Sequence, residues 1–239
     1  MPAKTHEYNY DHFEFEPYKR FFTGFQKRLP LGSQAPGFSG TDTEGRTVKL
    51  SDYRGKSHVV LEFGCITCAP AVTQAAIYKS SISKLLVPKF AGRGVEFLVV
   101  YTREAHPGER IGAHKSFQEK MLRARQFKRL DKVNIRIVVD GIDGKIHRKY
   151  GMLPNMIYII GKDGRIVYKA NWTDTKDVSS AIYNLLESEK DGPKTHMTVA
   201  VVEKYHFIRD HDIGMHRRVY SRGGKRALKE IKEQLGLPL

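Results

Sequence analysis

Residues 59–70 read Val-Val-Leu-Glu-Phe-Gly-Cys-Ile-Thr-Cys-Ala-Pro, and this stretch decides the fold. Its first half is β-branched and apolar, as in a buried strand, and the residues after it have the spacing of a helix. Cys65 and Cys68, the only cysteines of the chain, therefore lie at a predicted strand-to-helix turn. The N-terminal end of a helix stabilises a thiolate, and a Cys-x-x-Cys pair can close a disulfide within one turn. The spacing predicts thiol chemistry at this turn.

The pattern around this turn alternates between predicted strands and helices. Strands are predicted over 47–50, 58–63, 95–101, 135–139, 156–160 and 165–170, and helices over 69–90, 115–130, 145–150, 176–189 and 227–235. Alternating β and α units that end in a hairpin and a closing helix predict an α/β sandwich, with a central mixed sheet flanked by helices. This order of elements is that of the thioredoxin-like fold.

Three parts of the chain differ in composition. Residues 1–33 are dense in aromatic side chains, which predicts an N-terminal arm packed on the main domain and not a disordered tail. Residues 34–190 carry the alternating pattern and form the predicted thioredoxin-like domain. Residues 191–239 begin with an Asp-Gly-Pro break and form a predicted basic C-terminal extension.

The composition is that of a soluble globular protein, with 40% hydrophobic and 10% aromatic residues. No apolar stretch approaches the roughly 20 residues that a membrane helix needs, so no membrane span is predicted. The first residues lack the apolar core of a secretory signal, and two cysteines form no disulfide framework. We therefore expect a cytoplasmic protein.

The formal net charge of +15 predicts a surface that attracts anions such as acidic proteins, nucleic acids or carboxylate-bearing small molecules. Few aromatic side chains accompany the arginines of 123–136, which makes nucleic-acid binding the weaker of these hypotheses. The charge supports an alternative function, a basic binding module with redox-sensing or idle cysteines. Exposed cysteines of low pKa would favour an enzyme over this alternative.

Several stretches resemble a known family once these elements are placed. The segment 35–56 is similar to the entry of redoxin domains. Residues 63–70 are similar to the active-site turn of the iodothyronine deiodinases, and residues 100–106, Val-Tyr-Thr-Arg-Glu-Ala-His, to the Glu-Ala-His segment that separates this family from other thioredoxins. Residues 153–169 resemble its closing hairpin. The resemblance covers about residues 35–187 and implies a deiodinase-like branch of the thioredoxin fold.

The resemblance implies roles for the residues of the dithiol loop. Cys68 corresponds to the family's selenocysteine, which attacks the substrate iodine, and Thr67 to the threonine before it. Cys65 replaces a serine, so this chain has a dithiol where the family has a single reactive selenium. Thioredoxin chemistry would instead make Cys65 the nucleophile and Cys68 the resolving thiol. Both schemes end in a Cys65–Cys68 disulfide that an external thiol must reduce.

Four further candidate site residues follow from the same resemblance. Glu104 corresponds to the family's acidic residue, and His106 and His114 correspond to histidines near the substrate and the proton path. His106 is the candidate acid or base, which could protonate a leaving carbanion or favour a neighbouring thiolate. Pro154 corresponds to the cis-proline that faces the active site in thioredoxin-fold proteins.

We expect a cysteine-dependent thiol oxidoreductase in which a thiolate attacks an electrophilic iodine, another halogen or a sulfur. Its close alternatives are a general dithiol–disulfide reductase and a thiol peroxidase, the latter weakened because a Pro-x3-Thr-x2-Cys pattern is missing. The expected partners are a small-molecule or protein disulfide substrate and a reducing thiol such as thioredoxin or glutathione. No bound cofactor or metal is expected, since zinc prefers four ligands and no second Cys-x-x-Cys follows. The family's habit of pairing suggests a homodimer.

Overall fold

The computed structural model describes residues 8–75, 81–190 and 213–237, in which one mixed sheet of seven strands carries helices on both faces. The strands are β1 (Ser39–Asp42), β2 (Thr47–Lys49), β3 (His58–Gly64), β4 (Val95–Tyr101), β5 (Arg136–Val139), β6 (Ile157–Ile160) and β7 (Ile166–Ala170). The helices are α1 (Glu16–Lys27), α2 (Ala69–Ala75), α3 (Val87–Phe90), α4 (Phe117–Leu130), α5 (Lys145–Tyr150), α6 (Thr175–Lys190), α7 (Ile213–Tyr220) and α8 (Lys225–Leu235).

The strand order in the sheet is β2-β1-β5-β4-β3-β6-β7. The central strands β3, β4 and β5 run parallel, and the hairpins β1–β2 and β6–β7 flank them in antiparallel pairing. This arrangement confirms the predicted α/β sandwich with a central mixed sheet. Because parallel strands end at the same edge, the loops that follow Gly64, Tyr101 and Val139 come together there.

The central strand β3 lies between two apolar layers, and all seven of its residues are buried. Val60 belongs to a layer built with α2, α4, α6, α7 and α8, whereas Leu61 belongs to a layer built with α1 and α5. This alternation follows from the two-residue period of a strand that is covered on both faces. The continuous apolar run at 59–61 is therefore explained by the position of β3 in the centre of the sheet, covered on both faces.

The single helix predicted over 69–90 is wrong. Ser81 is extended, with φ −93° and ψ 159°, and its side chain accepts a hydrogen bond from the amide of Lys84. A wide helical turn, Ile82–Leu86, starts there and leads into α3, where Pro88 occupies the first turn. Serine caps a helix start in this way, and proline fits a first turn because it has no amide to donate. The predicted residues 76–80 lie outside the described ranges.

Both terminal segments pack on the domain. The arm buries Tyr8, Phe13 and Phe25, and its helix α1 takes up the second half of the segment. The C-terminal extension contributes the unpredicted α7 and the predicted α8. Residues 1–7, 191–212 and 238–239 of the arm and the extension lie outside the described residues. Within the described part of the chain, no helix has both the length and the apolar character needed to cross a membrane.

Candidate active site

The two cysteines occupy a short loop between β3 and α2. Cys65 follows the last residue of β3, Cys68 precedes the first residue of α2, and both are free thiols. The amide of Cys68 donates to the carbonyl of Cys65 at 3.2 Å, which closes the loop as a tight turn. Gly64 lets the helix approach the strand, because a Cβ at this position would lie 2.3 Å from the Cβ of Ala71.

The Cys65 thiol has two polar contacts. Its sulfur accepts a hydrogen bond from the amide of Ala105 at 3.1 Å and lies 3.5 Å from Oγ1 of Thr67. The Thr67 hydroxyl donates its one proton to Oε2 of Glu104 at 2.6 Å. The contact between Cys65 and Thr67 therefore has the thiol as donor, which makes a short proton path from Cys65 to Glu104.

Glu104 is the centre of the polar network at this edge of the sheet. Besides the Thr67 hydroxyl, its carboxylate accepts bonds from the Tyr101 hydroxyl at 2.6 Å and from Nε2 of His114 at 3.1 Å. Burial raises the pKa of Glu104, but the hydrogen bonds that it accepts, led by that of His114, outweigh burial and lower the pKa below its ordinary value. Glu104 is an ionised, fully buried hydrogen-bond acceptor.

His106 lies between the two terminal segments of the chain. Its amide donates to Oγ1 of Thr67 at 3.2 Å, and its ring lies 4.5 Å from the ring of Phe13 and 4.8 Å from the ring of Tyr220. Burial lowers the pKa of His106 to about 3, so the imidazole is neutral at pH 7. Tyr220 belongs to α7, so the C-terminal extension contributes directly to the surroundings of the site.

Both thiols are buried, Cys65 with 0% and Cys68 with 1% of its surface exposed. Burial raises the pKa of Cys68 to about 12 and raises that of Cys65 well above its usual range, to which the charge of Glu104 adds. The exposed cysteines of low pKa that would favour an enzyme are thus absent from this arrangement. In it both thiols are protonated and covered, so attack by a thiolate requires the covering segments to move.

A buried carboxyl group lies under the loop on β3. Glu62 is 1% exposed, and its Oε1 accepts a 3.4 Å hydrogen bond from Nδ2 of Asn155. Burial raises the pKa of Glu62 to about 8, and a charge on Glu62 raises the pKa of Cys68 in turn. Asn155 follows Pro154, whose peptide bond with Leu153 is trans and so differs from the cis bond that the family resemblance implies at this position.

The structure brings most of the predicted site residues together. Thr67 links Cys65, Glu104 and the amide of His106, and Cys68 adjoins them through the loop. Pro154 is outside this network of described contacts. Within the described ranges, no group of three or more His, Cys, Asp or Glu side chains could hold a metal ion.

Sequence reasoning missed three residues of the site: Glu62, Tyr101 and Tyr220. Glu62 left a visible signal, since it is one acidic residue inside an apolar strand. Tyr101 lay within the quoted Glu-Ala-His segment and ends β4. Tyr220 left no signal, because it comes from a helix more than one hundred residues further along the chain.

Comparison with known proteins agrees with this geometry. A profile of the iodothyronine deiodinase family matches residues 8–189. The thyroxine 5-deiodinase of Sparus aurata is 29% identical over 182 residues, which cover 70% of this chain and 64% of that protein. The thiol-disulfide oxidoreductase ResA of Bacillus thuringiensis subsp. konkukian is 25% identical over 164 residues, which cover 68% of this chain and 82% of that protein.

Solved structures agree on the fold. The thioredoxin domain of a thiol-disulfide oxidoreductase from Bacteroides vulgatus superposes with a TM-score of 0.51 at 20% identity, covering 66% of this chain and 99% of that one. The expected thioredoxin-like fold is thereby confirmed. The chain spans less than two thirds of the length of the Sparus aurata deiodinase, and α7 and α8 lie beyond the stretch that the family profile matches. Since that profile covers well over half of the chain, this protein belongs to the iodothyronine deiodinase family.

Proposed function

We propose that this protein is a thiol-dependent oxidoreductase that cycles between a Cys65–Cys68 dithiol and a Cys65–Cys68 disulfide. The observation that carries the proposal is the dithiol loop itself, held against the Thr67–Glu104 pair at the carboxyl edge of the sheet. The thiol-disulfide oxidoreductases among the relatives support this class of reaction. An external thiol supplies the electrons, so the cycle needs no bound cofactor.

The cycle has two exchange steps. Cys68, as a thiolate, attacks a sulfur of the substrate disulfide, forms a mixed disulfide and releases one substrate thiolate, which takes up a proton. Cys65 then attacks the sulfur of Cys68, which closes the internal disulfide and releases the second substrate thiolate. Two electrons pass to the substrate, and an external thiol such as thioredoxin or glutathione returns them by the reverse exchange. The cytoplasm suits this cycle, because such thiols are kept reduced there.

The hydrogen bonds support Cys68 as the nucleophile and Cys65 as the resolving thiol. The amide of Ala71 bonds Cys68 and lowers its pKa, against the larger effect of burial. Cys65 is joined to the Glu104 carboxylate through the Thr67 hydroxyl, which gives its proton a route out when it attacks. A resolving thiol needs such an acceptor at the moment when it attacks, because only its thiolate is nucleophilic.

Reductive dehalogenation uses the same residues, and the Glu104–His114 pair supports it as the finer form of the proposal. Cys68 would attack the halogen of a carbon–halogen bond, so that the carbon keeps the electron pair and takes up a proton, for which Glu104–His114 is the candidate relay. Cys65 would then attack the sulfur–halogen bond, which releases halide and closes the disulfide. The net reaction replaces carbon-bound halogen by hydrogen and oxidises the dithiol.

The burial of both thiols is the observation that favours the second class, a basic binding module with redox-sensing or idle cysteines. In that class neither thiol would exchange with substrate, and the basic surface would bind polyanions in a salt-sensitive manner. The two classes therefore differ in whether the native, reduced protein reduces a disulfide.

A two-substrate assay tests the proposal. The wild type, Cys68→Ser and Cys65→Ser proteins are given a dithiol reductant with either a small aromatic disulfide or an iodinated thyronine. Above the rate of the reductant alone, we expect the wild type to reduce the disulfide and Cys68→Ser to be inactive. When the reductant is left out, Cys65→Ser should accumulate a mixed disulfide on Cys68. Iodide release by the wild type supports the dehalogenating form. A native wild type that reduces neither substrate contradicts the enzyme proposal.

A further inference from the structure

The C-terminal segment 213–237, the lid, lies over the dithiol loop. Its helix α7 packs on α2, the helix that starts at the loop, and its last residue, Tyr220, is 2% exposed against the ring of His106. Tyr220 is also close enough for a charge on Cys68 to raise the pKa of its hydroxyl, after the larger effect of burial. The lid lies outside residues 8–189, the stretch that matches the family profile.

One side chain of the lid binds the dithiol loop directly. Arg222 donates two hydrogen bonds to Asp131, at 2.6 and 2.7 Å, and a third, at 3.2 Å, to the carbonyl of Ile66, which lies between the two cysteines. Asp131 directly follows α4, and its side chain is 1% exposed. The planar guanidinium suits this geometry, because it can bind a carboxylate with two parallel bonds and still donate to a third group.

The turn after α7 fits closely on the loop that follows His106. The carbonyl of Gly223 accepts a bond from the amide of Arg110 at 2.9 Å. A Cβ on Gly108 would lie 2.1 Å from that carbonyl oxygen, and a Cβ on Gly223 would lie 2.8 Å from the carbonyl oxygen of His106. The two facing glycines thus let the two backbones touch. Such a close contact indicates a specific fit between the lid and the domain and not a loosely associated tail.

The first turn of α8 is held from the same loop and from the arm. The carboxylate of Glu109 accepts bonds from the amides of Lys225 and Arg226, which start the helix. On the other side of α8, Glu230 accepts a bond from the amide of Phe13 at 3.1 Å. The arm and the lid therefore meet over His106 and close the site from two directions.

We infer that residues 213–237 are a lid latched by Arg222, and that the dithiol reacts only when the pair with Asp131 and the bond to Ile66 are released. The latch is polar and its Arg222 side chain is 22% exposed, so water can replace its bonds when it opens. The buried side chains of Met215, Val219 and Tyr220, together with the bond between Arg110 and Gly223, still hold the lid on the domain after the latch opens. This inference rests on the proposed function in one respect: it assigns the regulation of the same dithiol.

The latch also couples the lid to the redox state of the loop. Closing a disulfide between Cys65 and Cys68 changes the loop whose middle carbonyl Arg222 holds. The two equilibria are linked: if oxidation of the cysteines weakens the binding of the lid, then closure of the lid makes oxidation of the cysteines less favourable by the same factor. A lid that favours the reduced loop keeps the thiols protonated and protected until a substrate or a partner displaces it.

Thiol alkylation of the full-length, reduced protein tests the lid. The protein is treated with iodoacetamide under native conditions, and the modification of Cys65 and Cys68 is followed by mass spectrometry. Arg222→Gln should speed the modification on the order of tenfold or more, since it removes a charged, two-pronged pair. Arg218→Gln, which makes the same change of charge on the exposed face of α7, should leave the rate at the wild-type value.

Asp131→Asn should speed alkylation like Arg222→Gln, and the double variant should be no faster than the faster single variant, because both remove one interaction. Hydrogen exchange separates lid opening from global unfolding: in Arg222→Gln, residues 213–237 should lose protection while β4 and β6 keep theirs. Equal alkylation of Arg222→Gln and Arg218→Gln, or a loss of protection spread over the whole sheet, would overturn the lid. Disulfide reduction is measured separately. If Arg222→Gln is alkylated quickly but the protein does not reduce the disulfide, the lid is supported and the proposed function is contradicted.

Discussion

The Thr67 hydroxyl donates a 2.6 Å hydrogen bond to the Glu104 carboxylate, and this bond joins the dithiol loop to the end of β4. The two residues are far apart in sequence, but Gly64 at the end of β3 pairs with Tyr101 at the end of β4. The loops that follow these paired ends therefore meet. Because the bond also makes Thr67 an acceptor for the Cys65 thiol, it is both a structural tie and a proton path.

Thr67→Val should destabilise the protein. It keeps the shape of the side chain but removes a buried donor from Glu104 and a buried acceptor from the amide of His106, a change that costs about 1–3 kcal/mol. Urea unfolding followed by fluorescence or circular dichroism measures the loss. Thr67→Ser, which keeps the hydroxyl, is the matched control and should stay near the wild type. A valine variant as stable as the serine variant would show that this bond contributes nothing.

Gly64→Ala should disturb the dithiol loop, because the new methyl would lie 2.3 Å from the Cβ of Ala71 and push α2 away from the sheet. We expect a loss of about 1–3 kcal/mol, as is usual for overpacking, and slower closure of the disulfide. Gly37→Ala is the control, since no atom lies within 4 Å of its added Cβ. Adding Ala71→Gly to Gly64→Ala removes the opposing methyl and should restore disulfide closure. A double variant as slow as Gly64→Ala would contradict the steric account.

Glu62 predicts a pH dependence of stability. Burial raises its pKa to about 8 from the ordinary 4.5, so the folded protein holds a proton that the unfolded chain has lost. The contribution of Glu62 to the free energy of unfolding is thus fully present below about pH 4.5, declines as the pH rises, and is lost above about pH 8. One pKa unit corresponds to about 1.4 kcal/mol, so the change is on the order of a few kcal/mol.

Glu62→Gln tests this dependence, because glutamine keeps an oxygen for Asn155 and does not ionise. Urea unfolding at pH 5 and pH 8.5 should show the variant more stable than the wild type at the higher pH and closer to it at the lower one. Glu96→Gln, at an exposed position of the neighbouring strand β4, should not change the difference between the two pH values. The same pH dependence in Glu62→Gln and wild type would rule out Glu62 as its source.

The sequence was informative where structure depends on near neighbours. The apolar run of β3, the turn at Cys65–Cys68 and the hairpin β6–β7 each follow from local patterns, and the structure has all three. The family resemblance predicts both Thr67 and Glu104 as site residues. Their hydrogen bond was not predictable, since it depends on rotamers that only the packed site selects.

Other features depend on contacts between distant parts of the chain. The helical pattern of the sequence continues past Ser81, although the structure starts a new helical turn there. The lid depends on the bond between Arg222 and Asp131, and no periodic pattern in the sequence indicates that these two residues meet. Phe13 of the arm and Tyr220 of the lid both lie against the ring of His106, beside the buried thiols. A pattern of residue types cannot show which distant segment covers a loop. The dithiol turn, predicted to be reactive, is therefore buried in the structure in a way that the sequence does not indicate.

The proposed dithiol–disulfide cycle is tested by measuring the redox state of the two cysteines in thiol–disulfide buffers. The reduced, full-length protein is equilibrated with mixtures of reduced and oxidised glutathione, quenched with acid, and alkylated after denaturation. Intact mass then counts the remaining thiols. We expect two species that interconvert reversibly, the dithiol and an internal Cys65–Cys68 disulfide with no thiol left to alkylate. Two thiols that stay alkylatable in every buffer, or glutathione adducts without an internal disulfide, would contradict the cycle.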